Sequence, residues 1–188
     1  LALGASNAYP PVIAPDCKRT VSIRTYQDIQ KLKRLYLGAR HAVIVGGGVI
    51  GLETAIELMK RGIQATIIEA FPYLLPRFLD EDTAREVQNL LFPARVLTSA
   101  MIAGFDADDT RVSVMLSDGT SLQADFAVIS TGVRANISIA KEAGILCERG
   151  IVVNERMETS APDVYACGDC AQFNGNNYAL WVQSKAQG

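Results

Sequence analysis

AVIVGGGVIGLETAIELMKRGIQATIIE, residues 42 to 69, reads as a strand, a glycine turn, a helix and a second strand ending on an acid. Ala42 to Val45 is a short apolar run suited to a strand buried on both faces. Gly46, Gly48 and Gly51 form a GxGxxG pattern, in which the first glycine makes the tight turn and the second leaves room for a pyrophosphate. The third lets the helix lie close to the strand. From Ile50 to Arg61, Glu53, Glu57 and Lys60 recur at helical spacing, with Ala55, Ile56, Leu58 and Met59 left for the sheet. The free N–H groups and the positive dipole end of that helix would face phosphates.

Glu69 lies 18 residues after Gly51, where this fingerprint expects a carboxylate that accepts hydrogen bonds from an adenosine ribose. A 2′-phosphate there would meet a like charge. The following Ala70, Phe71, Pro72 and Tyr73 offer no cation, and Arg77 is the first base downstream, so the charge pattern points to NAD over NADP. Glycines punctuate many turns and an acid ending a strand is often merely solvated. Here strand, turn, helix, strand and acid arrive together at the right spacings, which makes a nucleotide-binding βαβ unit the better reading. The unit alone would serve NAD or the adenosine half of FAD.

The remainder of the chain supplies an α/β setting. A helix is expected from about Thr25 to Leu35, and LDEDTAREVQNLL reads as an exposed helix with an acidic first turn. Arg95 to Thr98 should add a parallel strand. Met101 to Phe105, Arg111 to Leu116 and Ser121 to Ala124 form an antiparallel meander, with Ser117, Asp118 and Gly119 as a hairpin signal. Phe126 to Ile129 is another buried strand that delivers Ser130, Thr131 and Gly132 to the sheet edge where ligands of α/β folds collect. A short helix over Ile137 to Ala143 and a strand near Ile151 to Val153 follow. The fold class is therefore α/β, a Rossmann-like three-layer domain of the FAD/NAD(P)-binding type, with a parallel sheet and an antiparallel β-meander.

With 188 residues and 49% hydrophobic content the chain can bury one large or two small cores. A net charge of −2 carries no electrostatic footprint for nucleic acid, and no apolar run reaches membrane-spanning length. Cys17, Cys147, Cys167 and Cys170 are too few and too unevenly placed for a disulfide framework, so a reducing cytoplasm is the expected setting. Cys167 and Cys170 spell CxxC, the one arrangement that could mean redox work. His41 is the single histidine and is remote in sequence, so no metal site is expected.

LALGA at 1 to 5, VIVGGGVIGLE at 43 to 53, STGVRAN at 130 to 136 and TSAPDVYACGDC at 159 to 170 together resemble the pyridine nucleotide disulfide oxidoreductase family. These are flavoproteins with an NAD domain inserted into an FAD domain. LLPRFLDED at 74 to 82 and LWVQSKAQG at 180 to 188 look like the branch of NADH oxidases, rubredoxin reductases and nitrite reductases. The resemblance implies roles residue by residue. Gly46, Gly48, Val49 and Ile50 would hold the NAD pyrophosphate with Gly51 packing the helix, Glu69 the adenosine ribose, Glu53 the nicotinamide side, and Gly132 would allow close approach beside it. Gly168 and Asp169 would meet FAD in the full-length parent, Asp169 at the ribityl chain.

The family's first GxGxxG and its C-terminal interface domain are not among these residues. The chain is therefore expected to be a fragment: 1–19 a residual FAD-domain edge and linker, 20–134 the NAD-binding domain, and 135–188 a residual, truncated FAD-domain segment. The parent would pass hydride from NADH to flavin and electrons onward to an acceptor met on absent domains; the isolated fragment is expected to be inactive, with no catalytic side chain of its own. A homodimer is left open. Two rival readings stand beside this one: a stand-alone NAD-binding or sensing module, and a thiol oxidoreductase using Cys167 and Cys170.

Overall fold

The computed structural model describes residues 1–188. The chain divides into two units, Tyr9–Gly132 and a second made of Leu1–Ala8 with Val133–Gly188. It opens on a strand of the second unit, β1 (Ala5–Asn7).

In the Tyr9–Gly132 unit, β2 (Thr20–Val21) leads into α1 (Tyr26–Tyr36), then β3 (His41–Val45), α2 (Val49–Met59) and β4 (Gln64–Ile68). There follow α3 (Glu81–Leu90), β5 (Arg95–Leu97), the strands β6 (Ile102–Ala107), β7 (Val112–Leu116) and β8 (Ser121–Ala124), and finally β9 (Phe126–Ile129). Five of these strands make one sheet in the order β2-β9-β3-β4-β5, with every pairing parallel. The meander β6-β7-β8 is a separate antiparallel sheet.

The alternation of side chains along each strand builds three layers. Ala42 and Ile44 of β3, Ala65 and Ile67 of β4, and Phe126 and Val128 of β9 share one core with Leu52, Ala55 and Leu58 of α2, and Leu32 and Leu35 of α1 pack against it. The intervening Val43, Val45, Ile68, Ala127 and Ile129 share the other core with Val112, Val114, Leu116 and Leu122 of the meander. Because both faces are covered, β3 and β9 read as unbroken apolar runs rather than as alternating ones. Each fully buried Val or Ile contributes about 1.5–3 kcal/mol of transfer free energy.

Helix starts in this unit are built in two ways. α1 has a capping box: Thr25 Oγ1 accepts the Asp28 N–H at 3.2 Å while the Asp28 carboxylate accepts the Thr25 N–H at 2.9 Å. α3 is capped by Asp80, which takes the Thr83 N–H at 2.9 Å. That bond holds the Asp80 carboxyl below its ordinary range. α2 starts at Gly48, which supplies no side-chain cap. Its outer face carries Glu57, held between Lys60 at 2.7 Å and Arg61 at 2.8 Å. The hydrogen bonds from Arg61 and then Lys60 draw the Glu57 carboxyl down to about 2.

In the second unit, β1 pairs antiparallel with β10 (Val133–Ala135), setting Ala5 opposite Ala135. Leu1 to Ala8, which sequence alone leaves as a connector, thus has a partner within its own unit. After α4 (Ser138–Glu142), β11 (Ile151–Val153) pairs in parallel with β12 (Ala171–Phe173), and α5 (Trp181–Gln187) ends the chain. Ala140, Ile145, Ile151, Val153, Ala166, Cys170 and Ala171 form this unit's core. No helix of the chain is long and apolar enough to cross a membrane.

Candidate functional site

The glycine turn joins the carboxyl end of β3 to α2. Gly46 has φ +109°, a conformation that side-chain-bearing residues rarely adopt, and a Cβ there would lie 2.5 Å from the Ser130 carbonyl oxygen. At Gly51 a Cβ would lie 2.1 Å from the Gly46 carbonyl oxygen, so the helix reaches the turn only because that position is glycine. Gly48 differs: a Cβ there would meet nothing within 4 Å. The space at Gly48 is open, as room for a ligand requires.

Gly47, between the two glycines the pattern singles out, is also sterically fixed. A Cβ on it would lie 2.5 Å from Leu74 Cδ2 and 3.0 Å from Glu69 Oε2. Three glycines in a row conceal this in the sequence, because the pattern treats the middle one as a free position. The Leu75 N–H donates to the Gly47 carbonyl at 3.0 Å, so the loop after β4 closes over the turn.

The α2 terminus is suited to an anion. Gly48 O accepts the Leu52 N–H at 3.0 Å, but the amides of Val49, Ile50 and Gly51, in the first turn, have no carbonyl four residues back within the helix. No acidic residue lies in that turn to compete for them. Val49 is 46% exposed and Ile50 49%, so apolar surface flanks these donors. Glu53 is exposed in the second turn of α2. The helix dipole, which acts mainly over the first turn, therefore does not account for an acid there.

Glu69 follows β4 and is only 7% exposed. Its Oε2 accepts the Gly47 N–H at 2.7 Å and its Oε1 the Phe71 N–H at 2.9 Å. It is thus not the solvated strand-end acid of the plainer reading. A carboxylate has about four lone-pair sites, so two bonds to backbone amides leave capacity for two hydroxyl donors. Ser130 follows β9, donates its N–H to Val45 O at 2.8 Å, and sets its hydroxyl 3.0 Å from Gly46 O. Gly132 has φ +93° and open space where a Cβ would stand.

The structure brings Gly46, Gly48, Val49, Ile50, Gly51 and Glu69 together at the carboxyl edge of β3 and β4. An acid at a strand end, an uncapped helix start, open space at the middle glycine and no competing carboxylate in the first turn fit a nucleotide diphosphate with its ribose. In the second unit, Gly168 and Asp169 lie in a single 3-10 turn, Gly168–Cys170. Gly168 has φ +75° and its N–H donates to Gln187 Oε1 at 2.8 Å. Asp169 is half-buried and its carbonyl accepts from Asn177 Nδ2 at 2.8 Å. Cys170 is 0% exposed, its Sγ 3.3 Å from the Leu3 N–H and 3.3 Å from Cys167 O, and both thiols are free.

A three-layer unit with a glycine turn and a strand-end acid defines a dinucleotide-binding protein of the FAD/NAD(P)-linked class. Over residues 1–188 the chain belongs to the pyridine nucleotide-disulphide oxidoreductase family. It is 37% identical over 180 residues to an NADH oxidase of Methanocaldococcus jannaschii, covering 92% of this chain and 39% of that protein. Among solved structures, an NAD-dependent persulfide reductase from A. fulgidus matches 99% of this chain and 36% of its own with a TM-score of 0.92 at 29% identity. An FAD-dependent pyridine nucleotide-disulphide oxidoreductase from Desulfovibrio vulgaris matches 99% of this chain and 50% of its own, with a TM-score of 0.82 at 27% identity. The chain spans between 22% and 46% of the length of the curated relatives it matches first.

Proposed function

We propose that this chain is the NAD(H)-binding portion of an FAD-dependent oxidoreductase, in which NADH gives hydride to flavin and electrons pass on to an acceptor. The observation that carries the reading is the α2 start: uncapped amides and open space at Gly48, with a buried Glu69 bonded to the neighbouring Gly47 amide. NADH when bound supplies the hydride, and flavin held by the longer protein accepts it. The chain's own residues bind and orient. The Val49 and Ile50 amides take the pyrophosphate, Glu69 takes the adenosine ribose, Glu53 faces the nicotinamide side, and Gly132 leaves space beside it. Gly168 and Asp169 lie on the FAD side. The proposed domain limits are 20–134 for NAD binding, with 1–19 and 135–188 belonging to the flavin side, and the proposed setting is the cytoplasm.

The acceptor is met outside these residues, and the chain alone is inactive in this reading. The test is a fluorescence or calorimetric titration with NADH, together with the visible absorbance of the purified chain. Saturable NADH binding without stoichiometric flavin supports the reading. Absence of NADH binding overturns it. The thiol reading loses support from Cys170, whose sulfur is fully buried in the second unit's core.

A further inference from the structure

The Gly46–Gly47 peptide is, with Gly47–Gly48, one of two peptides in the turn that no Cβ restrains. It has a glycine on both sides, so no Cβ opposes rotation of the peptide plane, yet every amide that follows takes its direction from it. The structure holds this peptide at both ends. Its N–H donates to Glu69 Oε2 at 2.7 Å, from the end of β4. Its carbonyl oxygen lies 3.0 Å from the Ser130 hydroxyl, at the end of β9 on the other side of β3.

Ser130 Oγ also lies 3.1 Å from Val45 O, so its single proton is shared between two carbonyls on consecutive residues. Val45 O already receives the Ser130 N–H at 2.8 Å, whereas the hydroxyl is the donor that reaches Gly46 O. Ser130 further occupies the space the glycines leave empty: its Oγ would lie 2.7 Å from a Cβ on Gly51 and 3.1 Å from one on Gly46. A residue of pure filling would need only that volume. The hydroxyl direction adds a fixed bond to the one carbonyl on which the orientation of the Gly46–Gly47 peptide depends.

We propose that Ser130 is a positioning residue for the dinucleotide turn: with Glu69 it clamps the Gly46–Gly47 peptide from both sides and so aims the Gly48, Val49 and Ile50 amides at the pyrophosphate. This rests on the reading of the turn as an NAD(H) site. Ser130 touches no part of the nucleotide in this account; it acts through the peptide. The clamp also ties the segment Ser130 to Gly132, on the nicotinamide side of the proposed site, to the acid that takes the adenosine ribose. The two side chains meet on that one peptide from the ends of β9 and β4, on opposite sides of β3.

The test compares the full chain with Ser130→Ala, Glu69→Gln and the double variant by NADH titration, and follows hydrogen exchange of the Gly47 amide without nucleotide. Ser130→Ala is expected to weaken NADH about 10-fold, or about 1.4 kcal/mol. It should speed Gly47 amide exchange to a similar degree and leave the thermal midpoint near that of the parent. Because both side chains hold one peptide, the double variant is expected to lose less affinity than the product of the two single losses. Where Ser130→Ala does not fold, Ser130→Cys, a weaker donor on a longer C–S bond, carries the same comparison. Unchanged NADH affinity with unchanged Gly47 exchange overturns the clamp, and so does a double loss equal to the product. A parent chain that binds no NADH overturns the nucleotide reading instead, and Gly47 exchange still decides whether the clamp exists.

Discussion

The carbonyl oxygen of Gly46 stands 2.1 Å from where a Cβ on Gly51 would be, while nothing stands within 4 Å of the same position on Gly48. The fold thus demands a glycine at Gly51, whereas nothing in the fold itself demands one at Gly48. Gly51→Ala is expected to destabilise the chain by about 3 kcal/mol, since backbone rather than a flexible side chain blocks the new atom. Gly48 has φ −81° and ψ −179°, which alanine adopts freely, so Gly48→Ala should change stability by less than about 1 kcal/mol. It should nevertheless weaken NADH binding, because its methyl fills the open space. Urea melts and calorimetric titrations of the two variants separate these effects.

NADH is expected to bind at least about 10-fold more tightly than NADPH, a difference of about 1.4 kcal/mol. Glu69 is buried and already engaged by two backbone amides, so it does not swing aside to admit a 2′-phosphate. Equal affinities in parallel titrations would remove Glu69 from the adenosine site.

Asp125 should contribute to acid sensitivity. Its carboxylate accepts the Arg40 N–H at 2.7 Å and the His41 N–H at 2.9 Å, where β3 begins. Partial burial pushes its pKa up, but those two bonds, with the charges of His41 and Arg111, bring it below the ordinary 3.8. A folded-state pKa below the unfolded one means that the contribution is full above about 3.8 and is lost as pH falls through the lower, folded value. Asp125→Asn is therefore expected to lower stability at pH 7 and to flatten the decline below pH 4. Urea midpoints across that range measure both.

Under native conditions Cys170 should resist an aromatic disulfide reagent, while the half-buried Cys17, Cys147 and Cys167 react slowly. Burial also pushes the Cys147 thiol up, which lowers its thiolate fraction at neutral pH. All four thiols should titrate once the chain is unfolded. Fast native reaction at Cys170 would restore the thiol reading.

The elements most legible in the sequence are those whose pattern is enforced by burial on both faces. β3, α2, β4 and β9 follow directly from apolar runs and helical spacing, and the Ser117 to Gly119 turn fixes β7 against β8. β12 and α5 escape notice because AQF is too short and mixed to read as a strand and WVQSKAQ buries none of its residues. At the site, the identity and spacing of Glu69 are readable, but its burial is not, since that depends on Leu74 and Leu75 folding back over Gly47. Ser130 is readable as a strand-end residue. Its grip on Gly46 depends on β9 lying beside β3, a neighbour relation between segments far apart in sequence.

The pairing of β1 with β10 has a kinetic side. Ser6 and Asn136, joined at 2.7 Å, are 130 residues apart in the chain. In an unfolded chain, closing a loop of that length carries an entropy cost that grows as about (3/2)RT ln n. Contacts of such separation are slow to form. Once Tyr9–Gly132 has folded, its own ends are fixed and most of that loop no longer has to be ordered. The Tyr9–Gly132 unit is thereby expected to assemble first and the β1–β10 pair last, so the order of folding is written into the way one unit interrupts the other.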